Sequence, residues 1–535
     1  MYIQKNDDTI CAPATIPGTG AITVIRVSGE TALEIADKVV RCRKGKISES
    51  QGYTIKFGVV YDTDDSPVDE VLVSIFKAPH SYTGENSVEI SCHASSYIAG
   101  KVMDLLCSAG ARPAEPGEFT LRSYLNGKMD LAQAEAVADL IASRTSSAHN
   151  AAFKQMRGGF SNELKSMRAE LLKIVSLMEL ELDFSEEEVE FADRTRLNDL
   201  VGKVASHISR LIESFKLGNA IKNGIPVAIA GATNAGKSTL LNCLLGEDRA
   251  IVSDIHGTTR DTIEETMNID GVLYRFIDTA GIRETDETVE RIGIERTFQK
   301  IYEADIILGM IDGSKTQEQI TQDLKTIFHK TSEQKLFILV NKTDLWNTAN
   351  RSSECQDNGI QGQTTQNIGD DSRNSLPNKN VINENNFVSS IADEIISLLN
   401  ETKSVSEQKT LSTTDNGGSY MEIDGISAGQ PIEIIGISAK NNIGIDTLRN
   451  RLSAFSKDRI GSDDQTLITN TRHYHALVEA RTSLLRVQDG LNTSLPTDLV
   501  AQDIRETIYH LGSIVGEIST DEVLGNIFQH FCIGK

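Results

Sequence analysis

IPVAIAGATNAGKSTLLNCLLG, residues 225–246, is the stretch that decides the fold of this chain. Its apolar start at 227–230 predicts a buried strand, and the leucines after Lys237 predict a helix. Between them, GATNAGKS matches the strand–GxxxxGK[ST]–helix pattern of a phosphate-binding loop. Its glycines let backbone N–H groups approach phosphate oxygens, and the helix N-terminus adds partial positive charge. We therefore predict a nucleotide-binding α/β domain in which Lys237 contacts the β- and γ-phosphates and Ser238 ligates Mg²⁺.

Four further motifs follow in chain order. DIHGTTRD at 254–261 supplies a loop threonine, assigned here as Thr259, that can ligate Mg²⁺ beside a γ-phosphate. DTAG at 278–281 supplies an aspartate for the Mg²⁺ shell and a glycine amide near the γ-phosphate. NKTD at 341–344 offers a carboxylate that accepts both N–H donors of guanine, which adenine lacks, and SAK at 438–440 offers backbone N–H groups to the guanine oxygen. The ordered set predicts GTP binding, with an ATPase as the alternative.

The predicted GTP contacts are spread over all five motifs, each of which follows a predicted strand or lies in a loop beside one. They are Asn234, Ala235, Gly236, Lys237, Ser238, Thr239, Ser253, Asp254, Ile255, His256, Gly257, Thr258, Thr259, Asp278, Thr279, Ala280, Gly281, Asn341, Lys342, Thr343, Asp344, Ser438, Ala439 and Lys440. Within this set, Ser238 and Thr259 are the predicted Mg²⁺ ligands.

The glutamine that small GTPases place just after DxxG to orient water is missing here. Gly281 is followed by Ile282 and Arg283, and neither side chain suits that task. The nearest acid is Glu290, in DETVERIG. From the residues alone, Glu290 is either the water-orienting group or a solvated glutamate at a helix start, where the macrodipole favours it.

The wording of these motifs, GATNAGKS, DIHGTTRD, DTAGIR and VERIGIER, resembles the tRNA-modifying GTPase family called MnmE or TrmE. SYTGE at 81–85, PGEF at 116–119 and CIGK at 532–535 resemble signatures of the same family. The resemblance covers nearly the whole chain except 347–430. It implies that Glu290 orients the attacking water and that K⁺ replaces an arginine finger. The K⁺ ligands it implies are Asn234, Ser253, Ile255 and Thr258.

The resemblance also implies a second site, in an N-terminal domain that forms a homodimer. That domain would bind a reduced folate, 5-formyl- or 5,10-methylene-tetrahydrofolate, as the donor of a one-carbon unit. By motif position the folate contacts are Arg26, Glu89, Lys128 and Lys535, and Cys532 is needed for tRNA modification. From the residues alone, the first three charges could be ordinary surface groups, because charged side chains mostly lie outside.

The function implied by the resemblance is GTP hydrolysis within a complex that modifies C5 of the tRNA wobble uridine, U34, with an aminomethyl or carboxymethylaminomethyl group. The implied partner is an FAD-dependent MnmG-type protein, in a heterotetramer. Two other classes stay open. A ribosome-assembly GTPase switch would need a basic RNA-binding domain, and a signalling scaffold would only gate its partners.

The composition of the chain limits its possible functions and its location. The net charge of −23 disfavours non-specific binding to nucleic acid. An RNA role therefore needs a local basic surface or a basic partner. Seven scattered cysteines without a CxxC pair indicate a reducing cytoplasm, and no apolar run approaches the length of a membrane span.

The predicted fold is multidomain α/β and α. A small α+β folate-binding domain at 1–125, with strands near 22–27, 70–76 and 88–92, precedes a discontinuous helical bundle, and a Ras-like P-loop GTPase domain is inserted in that bundle. The bundle takes 126–220 and 457–535, and the GTPase domain takes 221–456. An apolar stripe in the first bundle segment marks a buried helix face: Leu164, Met167, Leu171, Ile174 and Met178.

The interval 347–430 is rich in Asn, Gln, Ser, Thr, Asp and Gly. It buries too little apolar surface to offset the entropy of ordering, so we predict disorder there except for one helix at 387–399. Deleting 347–385 and 404–430 should then leave GTP affinity and stability nearly unchanged.

Overall fold

The structure, a computed structural model, describes residues 8–183, 194–246, 264–278, 304–328, 334–345, 389–396, 409–413, 419–427, 430–460, 466–493, 495–518, 521–529, 531 and 534. The chain divides into two compact units. The first comprises Met1–Ser143, Ala148–Phe215 and Thr466–Lys535, and the second comprises Arg144–Ser147 and Lys216–Gln465. Over the described ranges, no helix is both long and apolar enough to cross a membrane.

The elements follow one another along the chain without long gaps in the N-terminal half. They are β1 (Ile10–Pro13), β2 (Ile22–Ser28), α1 (Ala32–Val39), β3 (Val40–Cys42), β4 (Thr54–Tyr61), β5 (Pro67–Phe76), β6 (Ser87–His93), α2 (Ser96–Ala109), β7 (Arg112–Pro113), α3 (Glu118–Leu125), α4 (Leu131–Ala142), α5 (Ser146–Met156), α6 (Gly159–Asp183) and α7 (Arg194–Asn223).

The rest of the chain supplies a second sheet and the last helices. They are β8 (Ile225–Gly231), α8 (Lys237–Leu245), β9 (Glu264–Ile269), β10 (Val272–Asp278), β11 (Ile306–Asp312), α9 (Gln317–Phe328), β12 (Lys335–Asn341), a 3₁₀ turn (Thr343–Leu345), α10 (389–396), β13 (Lys409–Thr413), β14 (Ser419–Ser427), β15 (Gln430–Gly436), α11 (Ile445–Ile460), α12 (Thr471–Asn492), α13 (Thr497–Val515) and α14 (Asp521–Phe528).

The first unit contains a seven-stranded sheet in the order β3-β4-β5-β6-β2-β1-β7, antiparallel except for the β1–β7 pair. The three strands predicted from alternating apolar residues are confirmed as β2, β5 and β6. Their inward residues pack with α1 and α2 in one core, which includes Ile25, Val73 and Ile90. The opposite face of the sheet is more open, and Ile55 and Leu72 are exposed there.

A helical bundle forms the rest of the first unit. The apolar stripe predicted at 164–178 is buried, and it packs with α7, α12 and α13 in one core. The start of α4 is fixed by a capping box. The Asp130 side chain accepts a hydrogen bond from the Gln133 N–H, and the Gln133 side chain accepts one from the Asp130 N–H.

The second unit is a three-layer α/β fold. Its eight-stranded sheet has the order β13-β14-β15-β12-β11-β8-β10-β9, and the five strands from β15 to β10 are parallel. α8 and α11 pack on one face, and α9 and α10 on the other. The helix predicted within 387–399 is confirmed as α10, whose Ile391 and Ile395 are fully buried in that second core.

The prediction of disorder is wrong for part of the interval after α10. β13 and β14 form an antiparallel hairpin, and β14 continues the sheet by pairing with β15 from Tyr420↔Ile435 to Ile423↔Ile432. The polar composition misled the prediction, because the hairpin gains its order from backbone pairing with a strand that is already part of the core. Residues 346–388 lie outside the described ranges.

Removal of residues 404–429 is therefore expected to destabilise the second unit, whereas removal of 347–385 is still expected to be nearly neutral. The first deletion strips the ladder partners from β15, at roughly 0.5–1.5 kcal/mol for each hydrogen bond lost, and leaves an open edge strand. The urea midpoint at which a fluorescent GTP analogue is released measures this difference. Equal midpoints for the two deletions would show that the hairpin adds nothing to the core.

Candidate functional site

The carboxyl ends of five parallel strands meet along one edge of the second sheet. The strands end at Gly231, Asp278, Asp312, Asn341 and Gly436, and their register keeps these ends side by side. Ligands of open α/β sheets bind outside this edge. Four of the five predicted motifs begin at or just after these strand ends, so the topology brings them together.

The phosphate-binding loop runs between β8 and α8 in a conformation that few residues accept. Asn234 has φ +65° and Gly236 has φ +102°, both in the left-handed region. A Cβ atom on Gly236 would lie 2.3 Å from Nδ2 of Asn341, so only glycine fits there. The loop therefore holds its backbone close to the end of β12, at the start of α8.

Lys237 begins α8 and reaches back over the loop. Its Nζ donates hydrogen bonds to the carbonyls of Gly231 and Ala232, at 2.8 and 3.0 Å. Ser238 and Thr239 follow in the first turn and are exposed. A cation and a hydroxyl at a helix N-terminus suit a phosphate chain and its Mg²⁺ ion.

Asn341 connects the phosphate-binding loop to the SAK segment at 438–440. It is 4% exposed, its Nδ2 donates to the Ala235 carbonyl at 2.8 Å, and its Oδ1 accepts from the Ala439 N–H at 3.0 Å. Ser438 donates from Oγ to Oδ1 of Asp344 at 2.6 Å. The half-exposed Asp344 carboxylate is thereby oriented beside the SAK segment, where a guanine base would present its N–H groups.

Asp312, which the sequence reading did not single out, supports this arrangement. Its carboxylate accepts a hydrogen bond from Nζ of Lys342 at 2.6 Å and two from Ser314. Burial raises the pKa of Asp312, but the hydrogen bonds from Lys342 and Ser314 outweigh it and leave that pKa lowered. The available signal was its position at the end of an apolar run, IILGMID.

Several predicted site residues lie outside the described residues. They are Ser253, Asp254, Ile255, His256, Gly257, Thr258, Thr259, Thr279, Ala280, Gly281, Glu290, Cys532 and Lys535, and for Asp278 only the backbone is described. Of the predicted ion ligands, Ser238 and Asn234 are therefore placed, and the other ligands of Mg²⁺ and K⁺ are not.

In the first unit, Arg26 and Glu89 face each other on β2 and β6. Nη2 and Nε of Arg26 donate to Oε1 of Glu89 at 2.8 and 3.0 Å. The guanidinium also lies 5.2 Å from the ring centre of Tyr82 and 5.6 Å from that of Phe119. The two rings were missed from the sequence, because nothing local marks them as neighbours of Arg26.

Lys128 and the C-terminus approach the same region. Nζ of Lys128 donates to the Pro79 carbonyl at 3.1 Å, and Pro79 belongs to the loop that carries Tyr82. A Cβ on Gly534 would lie 2.1 Å from the Pro13 carbonyl, so this glycine packs directly on the end of β1. β1 pairs with β2 beside Arg26. Two parts of the chain about 400 residues apart, 128 and 534, thus reach the sheet that holds the Arg26–Glu89 pair.

Comparison with known proteins covers both units. A family model described as the MnmE helical domain matches residues 131–532, and one described as the GTP-binding protein TrmE N-terminus matches residues 9–128. The tRNA modification GTPase MnmE of Bacteroides fragilis is 47% identical over 532 residues, which span 99% of this chain and 100% of that protein. The MnmE of Bacteroides thetaiotaomicron is 48% identical over 532 residues, with the same coverage of both chains.

A third relative, the tRNA modification GTPase MnmE of Flavobacterium johnsoniae, is 44% identical over 534 residues, 99% of this chain and 100% of that protein. The family expected from the motifs is thereby confirmed, and with it a GTPase that takes part in tRNA modification. The nucleotide is GTP, in agreement with the prediction that the carboxylate of Asp344 accepts the N–H groups of guanine. The chain belongs to the MnmE family of tRNA modification GTPases.

Proposed function

We propose that this chain is the GTP-hydrolysing component of a complex that installs an aminomethyl or carboxymethylaminomethyl group on C5 of the wobble uridine, U34, of certain tRNAs. It acts in the cytoplasm as a homodimer, together with an FAD-dependent MnmG-type protein in a heterotetramer. The observation that carries this proposal is the Arg26–Glu89 pair beside two aromatic rings, because these residue types suit a second ligand site in a chain that also binds GTP.

The residues around that pair suit a reduced folate. Glu89 can accept N–H groups of a pterin, Arg26 can donate to its oxygen, and the face of Tyr82 offers a stacking surface. Lys128 supplies positive charge for a carboxylate tail. When bound, the folate supplies the one-carbon unit. Gly534 packs on Pro13, so its neighbour Lys535 is proposed to reach the same site, and Cys532 to take part in the modification.

The proposal is tested by nucleoside analysis of tRNA from a strain that lacks the gene. We expect the C5 modification of U34 to be missing, and to return with the parent chain and with the control variant Lys203→Gln. Arg26→Gln should fail to restore it while GTP hydrolysis by the purified variant stays unchanged. An intact U34 modification in the deletion strain would refute the proposal. Accumulation of immature ribosomal subunits instead would favour a ribosome-assembly switch.

For hydrolysis, we propose that Ser238 and Thr259 hold Mg²⁺, that Asn234 with Ser253, Ile255 and Thr258 holds K⁺, and that Glu290 orients water. Asn234 supports this, because its left-handed conformation lies within the phosphate-binding loop and its side chain is exposed. A fixed monovalent cation there can neutralise charge on the β–γ bridge, as a guanidinium does.

Turnover should therefore rise steeply when Na⁺ is replaced by K⁺ at equal ionic strength, which keeps screening constant. Asn234→Ala is expected to flatten this response. Glu290→Ala is expected to lower kcat and leave GTP affinity intact, the pattern of a group that acts in the transition state. Steady-state GTPase assays measure all three effects. Equal rates in the two salts, with turnover abolished by Arg260→Ala or Arg283→Ala, would assign the role to an arginine.

A further inference from the structure

A cluster of positive charge stands out in this acidic chain. Residues 38–46 read KVVRCRKGK, so that five of nine are lysine or arginine, whereas the whole chain has a net charge of −23. We call this cluster the basic edge and define it as these five residues with one more on the neighbouring strand. Its members are Lys38, Arg41, Arg43, Lys44, Lys46 and Lys56.

The basic edge lies at the margin of the seven-stranded sheet. It runs from the end of α1 through β3, the outermost strand, and into the turn that leads to β4. The five basic residues between 38 and 46 are all exposed. A large partner can reach an outermost strand and its turn. It cannot reach a surface that lies between two packed elements.

The turn of the basic edge is held in place from two sides. The Asp37 carboxylate accepts hydrogen bonds from the N–H groups of Ile47 and Ser48, at 2.5 and 3.1 Å. On the other side, Nζ of Lys56 donates to the carbonyls of Lys44 and Lys46, at 2.8 and 3.0 Å. Asp37, the acidic residue next to the cluster in sequence, is thus hydrogen-bonded to backbone N–H groups. The backbone of the turn is held in one conformation, and its lysine side chains project from it.

Two arginines of the basic edge lie on aromatic rings of β4. The Arg41 guanidinium is 4.4 Å from the ring centre of Tyr61, and that of Arg43 is 4.7 Å from the ring centre of Phe57. Residues 57 and 61 share one face of the strand, since side chains alternate with a period of two. A guanidinium stacked on a ring keeps its N–H edge exposed, and such an edge matches the oxygens of a phosphate in bidentate fashion. Arg43 presents this edge, whereas Arg41 shares its own with Asp65.

Most of this charge has no carboxylate partner. Arg41 pairs with Asp65, and Lys38 donates to the Ala109 carbonyl. Among the residues that the structure describes, Arg43, Lys44 and Lys46 make no ion pair. A run of lysines is often only a solvated surface, but an exposed cluster with stacked guanidiniums and a braced turn is the arrangement expected of a phosphate-binding surface.

We propose that the basic edge binds the phosphate backbone of tRNA. The naming of tRNA, rather than another RNA, rests on the proposed function. An RNA is favoured over an acidic protein because the arginine forks match phosphates and because the family acts on tRNA. Such a local surface lets a chain of net charge −23 contact a polyanion despite its overall acidity.

The test compares the full-length parent with the triple variant Arg43→Gln, Lys44→Gln and Lys46→Gln. Binding of a tRNA transcript is measured by fluorescence anisotropy between about 50 and 200 mM salt. We expect the affinity for tRNA to fall at least about tenfold at about 100 mM salt. The negative slope of log K against log salt should become shallower by roughly two to three. The loss should be the same for tRNAs of different sequence, because phosphate contacts carry no sequence information.

The matched control is Lys173→Gln, Lys203→Gln and Lys325→Gln, which removes the same charge from exposed positions elsewhere. It should bind tRNA like the parent, and both triple variants should keep the parent's melting temperature and GTPase rate. Equal affinity and slope for the parent and the first variant would overturn the proposal, as would a parent chain that does not bind tRNA at about 50 mM salt. Loss of self-association with tRNA binding intact would assign the basic edge to a protein contact instead.

These outcomes are separate from those that test the proposed function. An intact U34 modification in the deletion strain would refute the modification chemistry and leave the tRNA-binding result standing. Conversely, unchanged tRNA binding by the variant with Arg43→Gln, Lys44→Gln and Lys46→Gln would refute the proposal that the basic edge binds tRNA. The result on the U34 modification would still stand.

Discussion

Asp344→Asn is expected to abolish the preference for GTP over xanthosine triphosphate, a change of up to about 10⁴-fold in the ratio of the two affinities. The carboxylate accepts hydrogen bonds only, so it matches the two N–H donors of guanine. An asparagine presents one oxygen and one NH₂ group, and the NH₂ group pairs with the second oxygen of xanthine. Ser438 Oγ, which donates to Oδ1 of Asp344, can still donate to an asparagine oxygen and keep the side chain in place.

Competition between the two nucleotides for the parent and the variant measures this ratio. Asp446→Asn, at an exposed site in the first turn of α11, is the matched control and should keep the parent's preference. A variant at 344 that still selects GTP as strongly as the parent would show that this carboxylate does not read the base. The test is independent of the modification chemistry, because it uses only the nucleotide site.

The nucleotide site was predictable from sequence because each motif is short and four of the five begin at or just after a strand end. Gly236, for example, belongs to a strand–loop–helix unit whose pattern is written in consecutive residues. The atom that excludes a Cβ there, Nδ2 of Asn341, lies at the end of β12. The helix at 389–396 was predictable for a similar reason, since its apolar spacing is local.

The contacts that sequence could not predict depend on non-local pairing. Arg26 and Glu89 are 63 residues apart and meet only through the register of β2 and β6. Tyr82 and Phe119 reach Arg26 from two further segments. The hairpin at 409–427 was missed because composition indicates only how much apolar surface a segment can bury by itself. This hairpin is ordered instead by backbone pairing with β15.

A buried ionic cluster lies in the same unit as the Arg26–Glu89 pair. Glu135 of α4 accepts hydrogen bonds from Nε and Nη2 of Arg472, at 3.0 and 2.8 Å, and its Oε2 lies 2.6 Å from Nε2 of His473. Arg472 also donates to the carbonyls of Ser513 and Ile514 at the end of α13, where a positive charge is favourable. The cluster thus joins α4, which starts just after Lys128, to the helix that precedes the C-terminal segment.

Glu135→Ala is therefore expected to destabilise this unit by about 3–5 kcal/mol, because it removes the buried carboxylate that both Arg472 and His473 contact. The effect should depend on pH. Burial raises the pKa of Glu135, but His473 and Arg472 outweigh it and lower that pKa to about 2. The unfolded carboxyl titrates near about 4.3, so the contribution is complete above that pH and is lost as the pH falls from about 4.3 to about 2.

Hydrogen exchange of the amides in α4 and α12 measures the free energy of opening of this unit without interference from the other. The difference between the parent and Glu135→Ala should be large at about pH 7 and smaller at about pH 3, since the parent then loses part of the same interaction. Glu479→Gln, an exposed carboxylate on α12, should match the parent at both values. If the difference in free energy of opening between the parent and Glu135→Ala does not shrink on acidification, Glu135 stabilises the bundle by packing. Its charge would then contribute nothing to the interaction between α4 and α13.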